Sequence, residues 1–192
     1  MKIDKSAEKE LVKLIKKMAK EQGYNAVSNS LYKVKDDIFY CSHFVIVTRQ
    51  KLVYRIGLKK ISYDDLFWNI MDMPENSKQK LSLRATGAFA VPLIETASGT
   101  IEFEGDVNVI SSVYCDLIKK SEETCSGWVT DVNSFVLGQL DQTYGANVLR
   151  SLAYLDRGDK EKAREIAVAN IGKSGFVNEG KDYFERLAEK YK

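Results

Sequence analysis

Ile38-Phe39-Tyr40-Cys41-Ser42-His43-Phe44-Val45-Ile46-Val47-Thr48-Arg49-Gln50-Lys51-Leu52-Val53-Tyr54-Arg55-Ile56-Gly57-Leu58 is the stretch whose reading decides the fold. Its β-branched and aromatic residues suit a pleated surface, and Arg49-Gln50-Lys51 interrupts them with a polar turn. With Leu31 to Val34 in front, and a second turn at Lys35-Asp36-Asp37, residues 31–61 read as a three-stranded meander. A two-residue loop at Arg49-Gln50 would put Phe39, Cys41, His43, Val45 and Val47 on one face with Leu52, Tyr54, Ile56 and Leu58. That face is the expected core. Tyr40, Ser42, Phe44, Arg55 and Lys59 would then lie on a partly wet face, and a three-residue loop would exchange the faces of one strand.

Working outward, Leu11, Leu14, Ile15 and Met18 recur at helical spacing between Ser6 and Gln22, and Gly23 stands where a helix stops. This helix is expected to pack on the meander. On the C-terminal side, Ser62 or Asp64 can cap a short helix that ends at Met73-Pro74. Leu81, Leu83, Ala85, Gly87, Phe89 and Val91 alternate with small or polar residues, which predicts a long strand, and Thr100 to Phe103 predicts a short one. From Asp106 the period changes to that of helices. One follows Asp106 directly, and others are expected at 131–140, 146–156, 160–171 and 179–191, separated by Gly145, Gly158 and the Gly172 to Gly175 segment. The fold class is therefore α+β: an N-terminal helix on an antiparallel meander, then a helical region. A division into 1–105 and 106–192 is expected, with the two parts able to share one core.

Two resemblances accompany this pattern. A lysine-rich helix ending in Gly23-Tyr24, followed by Leu31-Tyr32-Lys33-Val34 and a hairpin closing on Tyr54-Arg55-Ile56-Gly57, resembles the opening of a group of uncharacterised bacterial domains. That group more often has Phe at the position of Tyr24. The resemblance covers residues 9 to 60 and implies an α+β fold without assigned chemistry. Tyr154, Gly158 and Ala163, within 149–167, resemble the helix-turn-helix of a tetratricopeptide repeat, but only one unit is present, and an ordinary helical hairpin accounts for it.

Composition narrows the function. The chain has 192 residues, 44% of them hydrophobic, with 29 Lys plus Arg against 27 Asp plus Glu, so its net charge of +2 exerts no overall pull toward nucleic acid or anionic lipid. No apolar stretch is long enough to span a bilayer, and the charged opening lacks a secretory h-region; a cytoplasmic protein without a membrane partner is expected. Cys41, Cys115 and Cys125 match no zinc spacing, and neither a metal nor a cofactor is expected. Gly172-Lys173-Ser174-Gly175 includes a Gly-Lys-Ser but fails as a phosphate-binding loop, because position 167 is Ala and the segment follows a helix.

Three function classes remain. The leading expectation is a non-enzymatic protein that binds another protein or itself, of an immunity, antitoxin or accessory-subunit type. Its contact residues would come from Tyr40, Phe44 and Arg55 on the wet sheet face and from Tyr183 and Tyr191 on the last helix, whose aromatic residues exceed one buried stripe. Phe184 and Leu187 would form that stripe. A hydrolase is the second class: Cys41 and His43, two apart on one strand face, could act as nucleophile and base, although no third orienting group is apparent. The third is a nucleic-acid binder using Lys13, Lys16, Lys17 and Lys20 with Arg55 and Lys59, but Glu8, Glu10 and Glu21 are interleaved with those lysines, and a solvated helix face is expected instead.

Overall fold

A computed structural model describes residues 1–143 and 145–192. In chain order its elements are α1 (Lys5–Glu21), β1 (Asn25–Val27), β2 (Ser30–Lys35), β3 (Ile38–Val47), β4 (Lys51–Lys60), α2 (Ile61–Ile70), α3 (Leu83–Thr86) and β5 (Ile94–Glu102). There follow α4 (Val107–Cys125), α5 (Val132–Gly138), α6 (Ala146–Asp156), α7 (Lys160–Asn170), β6 (Val177–Asn178), β7 (Lys181–Asp182) and α8 (Tyr183–Lys190). The α+β class holds. The chain divides into two compact units, one of residues 1–58 and 93–127, the other of 59–92 and 128–192. In this division α4, expected from sequence in the helical region, groups with the sheet.

The first unit is a five-stranded antiparallel sheet in the order β1-β2-β3-β4-β5, carrying α4 and α1. Asp4 starts α1 by accepting the Ala7 amide at 2.8 Å, and Asp106 starts α4 by accepting those of Asn108 and Val109. The buried residues of α1 are Leu11, Ile15 and Ala19, and its main neighbour is α4 rather than the meander. Leu14 and Met18, expected in the buried stripe, are only half-buried. At Gly57 a Cβ would sit 2.5 Å from the Ile94 carbonyl oxygen, which explains a glycine beside the β4–β5 register shift.

The hairpin register corrects the expected faces. Thr48, Arg49 and Gln50 all lie outside the strands, and Thr48 and Arg49 adopt positive φ, so the loop has three residues. Relative to β4, β3 is turned over. Ser42 and Phe44 face α4, where Phe44 meets Tyr114 edge-on at 5.5 Å and Ser42 Oγ lies 2.5 Å from the Tyr114 hydroxyl. Tyr40, Ser42, Phe44 and Lys59, placed by sequence on a wet face, are buried; of that set only Arg55 is exposed.

The second unit is mostly helical. Tyr63, Phe67 and Trp68 of α2, Leu149 and Leu152 of α6, Ala163 and Ala167 of α7, and Tyr183, Phe184 and Leu187 of α8 form its core. Gly158, at φ +82°, makes the tight turn between α6 and α7, and the two alanines let those helices approach. Glu179 and Gly180 both adopt positive φ and close the β6–β7 hairpin, so the last helix starts at Tyr183 rather than at 179.

The strand expected over 81–91 does not form. The Lys59 ammonium donates to the carbonyl oxygens of Arg84 and Val91, each at 3.0 Å, the Trp68 indole donates to that of Phe89 at 2.7 Å, and Asp64 accepts the Val91 amide at 2.9 Å. Side chains thus take the backbone groups that a strand ladder would need. Only α3 is regular there, and Leu81 stays exposed. Among the described residues, no helix is long and apolar enough to cross a membrane.

Candidate functional site: the outer face of the sheet

Strand alternation defines the site. Leu31 pairs with Ser42 and Lys33 with Tyr40, and both pairs belong to the α4 face, where the Lys33 ammonium donates to Glu122 at 2.7 Å. The opposite face of β2 and β3 therefore carries Tyr32, Val34, Phe39, Cys41, His43 and Val45, and that of β4 carries Val53 and Arg55. Phe39 and Cys41 are buried on this side, whereas Val34, Val45 and Val53 are 37%, 57% and 38% exposed. An open groove of about 540 Å³ runs from His43 and Val45 past Val53 and Arg55 to Ser98 and Thr100. Arg55 Nε meets Glu95 at 2.8 Å, with both side chains in solvent, so the pair is worth little and a competing carboxylate can exchange it.

At the inner end of this face, His43 Nδ1 lies 2.8 Å from Ser30 Oγ, and its Nε2 lies 3.5 Å from Cys41 Sγ. Ser30 is the orienting group the sequence did not reveal. It precedes His43 by thirteen positions, and only the β2–β3 register, which pairs the two residues, brings it there. In the tautomer where Nδ1–H donates to Ser30, the Nε2 lone pair faces the thiol. Access decides against easy chemistry: His43 is half-buried beside the groove, but Cys41 is 1% exposed. Burial pushes the thiols of Cys115 and Cys125 up to about 11, which leaves little thiolate on either at neutral pH.

The remaining sequence candidates fall elsewhere. Tyr183 is not an exposed anchor: it is fully buried, stacks on Phe67 at 5.1 Å and shares a 2.9 Å hydrogen bond with Ser151. The reason is that α8 lies against both α2 and α7, so two of its sides need apolar cover. Tyr191 is half-exposed, with the Lys160 ammonium 5.5 Å from its ring centre. Tyr40 and Phe44 lie in the first unit's interior, which leaves Arg55 as the expected sheet contact that reaches solvent. Lys13, Lys17 and Lys20 are exposed on α1, but Lys59 is buried on Asp64 and drops out of the basic set. Ser174 binds the Phe176 and Tyr183 backbones, so the Gly172–Gly175 segment is a structural turn. Among the described residues no cluster of three or more metal-ligating side chains occurs.

Comparison of the chain with protein-family models, with curated proteins and with solved structures finds no match in any of the three. The resemblance over residues 9–60 therefore supports no family assignment.

Proposed function

We propose that this chain works by binding another protein through the outer face of its five-stranded sheet. One observation carries the reading: three valines, Val34, Val45 and Val53, stand exposed on strands where polar residues would serve solubility better, and Val45 and Val53 flank a groove edged by Arg55. A partner segment that offers an apolar side chain to these valines and a carboxylate to Arg55 fits this surface. The test is recovery of partners from the native host with the intact chain and with Val45→Asp. Loss of a specific partner at an unchanged melting temperature is expected. A variant that recovers the same partners in the same amounts overturns the reading.

A second reading rests on the Ser30–His43–Cys41 arrangement, whose distances suit a thiol nucleophile with an oriented base. It requires Cys41 to reach a substrate. Iodoacetamide labelling at neutral pH separates the two: selective labelling of Cys41 in the folded chain favours a thiol hydrolase, whereas labelling only after denaturation favours the binding role.

A further inference from the structure

The sheet has a long free edge. β5 is its last strand, nine residues from Ile94 to Glu102, and β4 is its only strand neighbour among the described residues. Such an edge spans about 30 Å and offers a row of unpaired amides and carbonyls to another strand. Natural edges are blunted by lysine, proline or a bulge. β5 contains no lysine or proline, its register shift lies near its start at Ile56/Gly57, and its charges, Glu95 and Glu102, lie toward its two ends. Among the described residues no strand, lysine or proline blocks pairing from Ala97 to Ile101, the stretch that follows the extra residue, Thr96.

The flank of α4 beside this edge is apolar over its first three turns and carries the exposed Lys120 beyond Leu117. Cys115 marks the side of α4 that faces α1, since its sulfur lies 4.0 Å from the Ile15 carbonyl oxygen. Ser121, hydrogen-bonded to Thr96, marks the side over β5. At 3.6 residues per turn, Leu117 and Val113 lie on Ser121's side of the helix, away from α1. Val113 is 42% exposed and Val109 51%. Their height along the edge is also set: the Tyr114 ring lies 6.0 Å from that of Tyr54, and Tyr54 pairs with Gly99. Val113 therefore stands level with the middle of β5.

We propose that the occupant of this edge is a second copy of the chain, its β5 antiparallel to the first about a two-fold axis at Ser98. In that register Ser98 faces Ser98 and Ala97 faces Gly99, and beyond the bulged residue, Thr96, Glu95 faces Thr100 and Ile94 faces Ile101. No like charges are opposed, and the small residues meet at the axis. A two-fold perpendicular to the sheet keeps both α4 helices on the same face, so Val113 of each copy closes over the junction beside its counterpart. Strand pairing and apolar contact then reinforce each other, and the interface is isologous. This goes beyond the function proposed above, because the surface is the edge rather than the face and the partner is the chain itself.

Sedimentation velocity of the full chain, at concentrations up to about 100 µM, measures the association by mass action. A dimer is expected. Ser98→Lys sets two ammonium groups opposite each other at the axis, and Val113→Asp puts a charge in the apolar strip; each should weaken the dimer about tenfold or more, while Ser98→Thr and Val45→Asp leave it unchanged. Circular dichroism confirms that each variant is folded. Hydrogen exchange of the unmodified chain needs no variant: amides of 94–102 should gain protection as concentration rises. A folded chain that stays monomeric throughout, a dimer indifferent to both Ser98→Lys and Val113→Asp, or protection of 94–102 that ignores concentration overturns the proposal. Loss of the dimer in Val45→Asp alone assigns self-association to the sheet face and overturns it equally.

Discussion

Tyr183, Lys59 and Asp156 owe their roles to their neighbours, and each yields a measurement. Tyr183→Phe removes one buried hydrogen bond to Ser151 and should cost about 1 kcal/mol, whereas Tyr183→Ser also empties the ring's site against Phe67 and should cost about 3–5 kcal/mol in urea unfolding. Lys59 and Asp64 are both fully buried, 2.8 Å apart, so Lys59→Met removes the nearer cation from a buried carboxylate that keeps Arg84 at 3.3 Å, strips the Arg84 and Val91 carbonyls of their donor, and should cost about 3–5 kcal/mol, with residues 81–91 becoming protease-sensitive. For Asp156, burial pushes the carboxyl up, but hydrogen bonds from Asn133 and Lys60 outweigh it and hold the group below its ordinary value of 3.8. A depressed folded value means the stabilisation is complete above that ordinary value and is lost as pH falls through the folded one. Asp156→Asn should therefore flatten the acid limb of a melting-temperature profile, read between about pH 2 and 5.

Among the elements, α1 separates periodicity from packing. The apolar spacing located the helix to within a residue at each end, yet which flank is deepest depended on α4 as its neighbour. Ile15→Ala should cost about 2–5 kcal/mol, as buried truncations do, while Leu14→Ala, on the half-buried flank, should cost under about 1.5 kcal/mol by the same denaturation measurement. Residues 81–91 show the opposite outcome. Their alternation is that of a strand, but among the described residues no strand pairs with them, and Lys59, Asp64 and Trp68 take their backbone groups instead. The β3–β4 hairpin depended on a single residue of loop length, and Thr48 and Arg49 carry none of the glycine that would have announced positive φ.

For the whole molecule, chain order and compact units do not coincide. The first unit draws on 1–58 and 93–127, and the second on the segments between and after them. A fragment of residues 1–105 would lack α4, leaving Phe44, Tyr54 and the hydroxyl of Ser42 without the Tyr114 contacts they have in the intact unit. It should fail to unfold cooperatively on heating and should give poorly dispersed amide proton spectra. A fragment that melts sharply would show that the sheet needs no helix from beyond residue 105.

What the sequence determined by itself was local. Hydrophobic period, the aspartate at 106 and the glycine at 158 act over one turn of chain, so the positions of α1, α4, α6 and α7 and the α+β class were legible from the residues alone. What only the tertiary structure decided was which chemistry-bearing residues meet. Ser30 reaches His43, Lys59 reaches Val91 and Thr96 reaches Ser121 through strand register and helix packing. Those contacts span from 13 to 32 positions along the chain, and no period of 2 or 3.6 residues encodes a contact at that range.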